Sequence, residues 1–256
     1  MIDRLFHRCF GAIARRCGYV RSTAVPVGKV LPQSKDALLM EFHQTLVHAG
    51  FRPKHIVDVG ANHGHWTRMA RQVFPDAEIT MLEPQSWLQP KFQDLLDKDP
   101  RIRYFPVGAG RASGSFTFTI AKRDDSSSFR LSPAEAQARG LEQREIPVVT
   151  LNELIATNNL AVPDLVKIDA EGLDLDVLEG ASELLGRTEV FMVEAAVVNK
   201  SFANSVKATV DHMDAKGYVL FSITDLNRPF KVPVLWLTEL VFVKRGGVLD
   251  TMDWVK

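Results

Sequence analysis

The chain is poor in cysteine: Cys9 and Cys17 are the only two among 256 residues. They stand eight positions apart in a segment with helical periodicity, about 12 Å along its axis and beyond the ~7 Å Cα limit for a disulfide. That excludes a disulfide framework and points to a reduced, cytoplasmic protein. Net charge is missing as well. Lys+Arg and Asp+Glu both number 31, so the chain as a whole carries no electrostatic footprint for a nucleic-acid backbone. No apolar run approaches the length of a membrane span, and the first residues lack the basic head and apolar core of a signal peptide. Internal repeats and low-complexity tracts are absent too.

What is present is ordinary for a soluble globular chain, 46% hydrophobic and 24% charged, and it is enough for one α/β domain with trimmings. The N-terminal stretch is the exception. Ile2, Leu5, Phe6, Cys9, Phe10, Ile13 and Cys17 recur at helical spacing, and Arg4, Arg8, Arg15, Arg16 and Arg21 face a single acid, Asp3. Such a basic amphipathic helix can lie on an anionic membrane surface, which would make the protein membrane-peripheral. The plainer reading is a cap helix packed on the domain. Pro26, Gly28 and Pro32 then form a linker. Residues 1–34 are thus expected to be leader and linker, and 35–256 the catalytic unit.

Within that unit helix and strand signals alternate. A helix is expected from Leu38 to Ala49, closed by Gly50. Strand His55–Val59, helix Trp66–Phe74, strand Glu78–Leu82, helix Trp87–Leu96 with Pro90 in its first turn, and strand Ile102–Val107 follow. Units of this length imply a parallel sheet covered on both faces. Residues 111–145 break the rhythm: Phe116, Phe118 and Ile120 alternate with threonines, Asp124 to Ser128 is a polar loop, and Ser132–Gln143 suggests a short helix. This region is expected to be an insertion or lid. Regularity returns with strand Ile146–Val149, helix Leu151–Ile155, strand Leu165–Ile168, helix Leu175–Leu185, strand Val190–Val193 and helix Val206–Ala215. The last two strands, Tyr218–Ile223 and Leu237–Val243, are joined without room for a crossover helix and should pair antiparallel. A mostly parallel sheet with an antiparallel final hairpin and helices on both faces is the α/β, Rossmann-like architecture of class I methyltransferases.

Two segments carry the chemistry. Asp58-Val59-Gly60-Ala61-Asn62-His63-Gly64 is a glycine turn after a strand, where the following helix aims free amides into a cleft. A dinucleotide fingerprint would need glycines at positions occupied by Asn62 and His65, which argues against NAD and FAD, and the lysine and hydroxyl of a P-loop are absent. Glu83, closing the second strand, stands where two charge-assisted hydrogen bonds would hold a ribose diol. Alone it reads equally well as an exposed acid opening the loop before Pro84. The second segment, Lys167-Ile168-Asp169-Ala170-Glu171-Gly172, ends a hydrophobic run. A strand that brings Lys167, Asp169 and Glu171 to one side must end at a site that uses them.

Taken with Asp58 to Gly64, the run Val166 to Gly172 followed by Val177-Leu178-Glu179-Gly180-Ala181 resembles the FkbM family of S-adenosylmethionine-dependent methyltransferases. Glu83-Pro84, Ser126 to Ser128 before Phe129, Val149-Thr150-Leu151-Asn152 and Glu194 add to the likeness, although the family usually has Asp at the position of Asn152. The similarity runs from about Ile56 to Glu194. It implies S-adenosylmethionine as cofactor and methylation of a hydroxyl on a sugar, glycan or other small metabolite. Carried over residue by residue, Asp58, Gly60, Asn62, Gly64 and Ser127 would bind the cofactor and Glu83 its ribose. Asp169, Glu171, Lys167 and Glu194 would form the reacting end.

Methyl transfer is an in-line displacement, so alignment is the enzyme's main task and a base need only remove the hydroxyl proton. Asp169, Glu194, His63 and His65 are candidates. Lys167 beside Asp169 would lower its basicity, leaving Asp169 to orient ligands and Glu194 to act as base. His65 reads better as a helix cap. Asp169, Glu171, Asp174, Asp176 and Glu194 could instead hold magnesium. Asp174 and Asp176, however, suit the start of a helix, so a divalent metal is not favoured. Trp87, Phe129, Phe230 and Trp236 could stack on a sugar, although such residues are more often core. The rival readings are a nucleic-acid methyltransferase and a non-catalytic cofactor-binding partner protein.

Overall fold

The computed structural model describes residues 36–123, 126–200 and 202–254. The arginine-rich helix and linker expected over 1–34, with Cys9 and Cys17, lie outside the described residues.

Helix α1 (Ala37–His48) buries Leu39, Phe42, His43 and Leu46, the i, i+3, i+4, i+7 stripe of an amphipathic helix. Gly50, at φ +73°, ends it. Strand β1 (His55–Val59), helix α2 (His65–Val73), strand β2 (Glu78–Leu82), a 3-10 turn (Ser86–Lys91), helix α3 (Gln93–Lys98) and strand β3 (Ile102–Phe105) come next. Then follow β4 (Gly108–Ala109), β5 (Gly114–Ile120), α4 (Pro133–Ala138), β6 (Glu142–Val149) and α5 (Leu151–Thr157). The chain continues with β7 (Leu165–Ile168), α6 (Asp174–Glu179), β8 (Val190–Ala196), α7 (Val206–Ala215), β9 (Tyr218–Asn227) and β10 (Leu237–Lys244).

Seven strands form one sheet in the order β3-β2-β1-β7-β8-β10-β9. The first five run parallel, and β10 pairs antiparallel with both β8 and β9. Strands covered on both faces read as near-continuous hydrophobic runs because alternate residues enter different cores. Ile56, Ile79 and Leu165 pack with Phe42, Leu46 and Met69 on one face. Val57, Val166 and Ile168 pack with Leu151, Leu154 and Val177 on the other.

Several boundaries differ from the sequence expectation, each for a local reason. The helix expected over Trp87–Leu96 is split at Phe92 into the 3-10 turn and α3, since Pro90 lacks an N–H and crowds the preceding turn. Strand β3 stops before Pro106, which cannot donate to a ladder. Helix α6 stops at Glu179 and the chain continues in tighter turns, the Ala181 N–H bonding the Leu178 carbonyl at 3.1 Å; Gly180 packs against the Gly110 carbonyl oxygen, 2.0 Å from where a Cβ would be. The stretch expected as a lid contains most of a second sheet, order β4-β6-β5. Strand β6 begins at Glu142 rather than Ile146, because Glu142 to Glu145 pair with Thr117 to Ile120.

Candidate active site

The carboxyl ends of β1, β2 and β7 converge on a cleft. The site lies where open α/β sheets hold ligands, outside the carboxyl ends of parallel strands. Gly60, Asn62, Glu83, Ser127, Asp169 and Glu171 line it.

The glycine turn is built by close approach. Gly60 and Ala61 both donate their N–H to the Leu82 carbonyl, at 2.9 and 3.0 Å, which joins the ends of β1 and β2. Gly60 has φ +74°, and Asn62 continues the turn at φ +47°. Asn62 donates its N–H to Glu83 Oε2 at 2.8 Å, and Gln85 donates its own to Oε1 at 2.8 Å. Glu83 is 2% exposed, which overturns its reading as an exposed acid. Burial pushes its carboxyl up, against the N–H groups of Gln85 and Asn62.

The second sheet supplies another wall. Ser128 exchanges backbone hydrogen bonds with Thr119 at 3.1 and 2.8 Å, and Ser127 Oγ accepts from the Ala121 N–H at 3.0 Å. Phe118 and Phe129, edge to face at 4.7 Å, complete the apolar part of the lining.

Four residues expected at the site do not line the cleft: Asp58, Gly64, Lys167 and Glu194. Asp58 is fully buried behind it, accepting from Thr67 Oγ1 at 2.6 Å and lying 3.6 Å from Lys167 Nζ. Gly64 serves packing, since a Cβ there would come within 2.8 Å of Phe92 Cβ. Lys167 points inward, 5% exposed, with Nζ 3.3 Å from Asp169 Oδ2 and from the Gly60 carbonyl and 3.4 Å from that of Val59. Burial works against its charge, but the carboxylates of Asp169, Asp58 and Glu239 outweigh it and hold the ammonium above its usual range. Lys167 therefore pins the glycine turn and Asp169 from beneath.

Strand alternation ends at Ile168 and does not deliver Glu171. That residue reaches the cleft through a turn in which it takes a left-handed φ of +51°. Asp174 holds the turn, accepting the N–H groups of Ala170 at 2.9 Å and Gly172 at 3.2 Å, and an Asn204 amide hydrogen at 2.7 Å. Asn204 also donates to the Glu194 carbonyl at 2.8 Å, tying the turn to β8. Burial pushes the Asp174 carboxyl up to about 7.

Glu194 stands on β8 beside this turn, with Glu239 directly opposite it on β10. Burial raises the Glu194 carboxyl well above its ordinary range, and the neighbouring carboxylates of Asp169, Asp174 and Glu171 add to the rise. Glu239, which accepts from Thr224 Oγ1, is pushed up to about 7 by burial, against the pull of Lys167. Sequence reading passed over Glu239 and Asn204. A lone acid within the apolar run Leu237–Val243 was the available signal for the first; Asn204 gave none.

The other candidates lie elsewhere. His63 and His65 do not line the cleft, and His65 Nε2 faces Asp36 at 3.1 Å. Asn152 braces the chain after α6, accepting from the Glu183 N–H at 3.1 Å. Trp87 is covered by the Arg144 guanidinium at 4.6 Å, and Phe230 packs edge to face on Trp236 at 5.1 Å. Among the described residues no group of three or more His, Cys, Asp or Glu is placed to hold a metal ion.

The family model described as the methyltransferase FkbM domain matches residues 58–220. No curated protein matches the chain. Among solved structures, a precorrin-6y C5,15-methyltransferase from Geobacter metallireducens is 12% identical, with a TM-score of 0.43 over 80% of this chain and 88% of the other. A 1,6-didemethyltoxoflavin-N1-methyltransferase from Burkholderia thailandensis, solved with S-adenosylhomocysteine, is 14% identical, with a TM-score of 0.45 over 82% and 79%. An rRNA methylase from Streptococcus thermophilus is 10% identical, with a TM-score of 0.44 over 84% and 99%.

Proposed function

The chain belongs to the FkbM methyltransferase family, and on that premise we propose that it transfers a methyl group from S-adenosylmethionine to a hydroxyl of a sugar, glycan or other small metabolite. The observation that carries this reading is the pairing of Glu83 with the Gly60–Asn62 turn in one cleft. A buried acid fixed by two backbone N–H groups keeps further lone pairs for a ribose diol. The turn has no third glycine for a dinucleotide pyrophosphate.

The cofactor supplies a methyl group on a sulfonium sulfur, so alignment dominates the chemistry. Gly60, Asn62, Glu83 and Ser127 would hold it, and Asp169 and Glu171 would orient the acceptor. Glu194 would take the hydroxyl proton, burial and the neighbouring carboxylates having raised its basicity. Lys167 acts through Asp169 and the turn rather than on a ligand. Peripheral membrane attachment through the arginine-rich N-terminal segment is tested by sedimentation of the full chain with anionic vesicles.

Calorimetry tests the cofactor and mass spectrometry tests the transfer. S-adenosylmethionine and S-adenosylhomocysteine should bind and NAD should not, and a panel of glycosides should include one that gains a methyl group. NAD binding without any response to S-adenosylhomocysteine would overturn the reading. Binding of S-adenosylhomocysteine with no transfer to any hydroxyl would favour a non-catalytic partner protein.

A further inference from the structure

Beyond the cleft, the carboxyl end of the sheet carries a row of acids. Glu194 faces Glu239 across β8 and β10, and Glu239 faces Asp225 across β10 and β9. Asp169 follows the Ile168–Val193 pair by one residue, which places it beside Glu194. Registered neighbours share a sheet face, with Cβ atoms of directly opposite residues about 4.5–5.5 Å apart. Lys167 projects to this face too, two residues before Asp169.

The donors beside this row are already committed. The Lys167 ammonium is already engaged by Asp58, Asp169 and the carbonyls of Val59 and Gly60. The Asn204 amide nitrogen is given to Asp174 and to the Glu194 carbonyl, and the Thr224 hydroxyl to Glu239. The Arg130 guanidinium lies over the Phe202 ring at 4.6 Å and already interacts electrostatically with Glu171. Yet Glu194 Oε2 and Asn204 Oδ1 are buried acceptors that no donor reaches among the described residues. Glu194 and Glu239 as residues stay partly accessible to solvent. The deficit around Glu194 is therefore one of N–H or O–H donors, beside the crowded carboxylates of Asp169, Asp174 and Glu171.

A neutral hydroxyl brings one donor and two more lone pairs; an ammonium brings three donors, one charge and no lone pair. We propose that the acceptor carries a protonated amine as well as the hydroxyl it presents, and that Glu239, opposite the Glu194 base, receives that amine at the β8–β10 end of the sheet. The substrate class is thus amino-alcohol-like, as in an amino sugar. This rests on the methyltransferase reading of the cleft. In the free protein the crowded carboxyls are relieved by holding protons, as the raised Glu239 indicates. An arriving ammonium replaces that relief, so the proton leaves to solvent as the amine binds.

The full chain saturated with S-adenosylhomocysteine is titrated with D-glucosamine and, separately, with D-glucose at matched ionic strength. Glucosamine should bind and glucose should not. Calorimetry near pH 7 in two buffers of different ionisation enthalpy should show net proton release for glucosamine. Glu239→Gln should lose about tenfold or more in glucosamine affinity, as expected for losing a charge-assisted contact, while still binding S-adenosylhomocysteine as a check on folding. Equal binding of the two sugars, no glucosamine binding by protein that binds S-adenosylhomocysteine, or full affinity in the folded variant overturns the proposal. Failure of S-adenosylhomocysteine itself to bind would instead defeat the cofactor reading.

Discussion

Gly60 and Asp169 approach so closely that a Cβ added to Gly60 would lie 2.0 Å from the Asp169 carbonyl oxygen. The contact joins the two motifs that stand about a hundred residues apart, and Lys167 reinforces it from below by reaching the Gly60 carbonyl and the Asp169 carboxylate at once.

Gly60→Ala should therefore damage the site more than a loop substitution would. Alanine at φ +74° costs about 1–2 kcal/mol in backbone strain alone, and the Asp169 backbone must also move. A lowered melting temperature with loss of S-adenosylhomocysteine binding is expected. A variant that keeps both would show that β1 and β7 separate freely.

Glu83→Ala should weaken both cofactor binding and the fold. The carboxylate accepts the N–H groups of Asn62 and Gln85, and an unsatisfied buried donor costs about 1–3 kcal/mol. Calorimetry and thermal melting should fall together. Unchanged cofactor affinity in the folded variant would remove Glu83 from the ligand contacts.

Glu194→Gln should reduce turnover by about 10²- to 10⁴-fold, the usual worth of a general base, and leave S-adenosylhomocysteine affinity near wild type. In the wild type, burial and the carboxylates of Asp169, Asp174 and Glu171 raise the Glu194 carboxyl. The acidic limb of kcat/KM should accordingly lie well above the ordinary glutamate range of about 4.3. That limb should vanish in the variant; its persistence would assign the proton transfer to another group.

Glu239→Gln should alter how stability depends on pH. The folded carboxyl is raised to about 7, so the folded state binds the proton more tightly than the unfolded chain does. Its contribution to stability is full below the unfolded value near 4.3 and is lost as pH rises through about 7. Glutamine stays neutral throughout. The variant should thus gain on wild type between about pH 5 and 8, by at most on the order of 3–4 kcal/mol. Melting curves that stay parallel across that range would show that the carboxyl titrates normally.

The order of strands and helices, the parallel sheet with its antiparallel hairpin, and the glycine turn followed by Glu83 were legible in the sequence, because each rests on local chemistry. Period-two and helical hydrophobic patterns decide which face is buried, Gly50 and Gly217 end helices, and a linker too short for a crossover makes β9 and β10 a hairpin. Only the tertiary structure separated the residues that line the cleft from those that support it. Asp58, Gly64 and Lys167 share motifs with Gly60 and Asp169 but lie behind or beside them, since strand alternation and close packing turn neighbouring side chains in different directions. Glu171 left the strand pattern because Asp174 and Asn204 hold its turn. Glu239 gained its place from β10 running antiparallel to β8, a long-range register that sets two glutamates face to face across 45 residues of sequence.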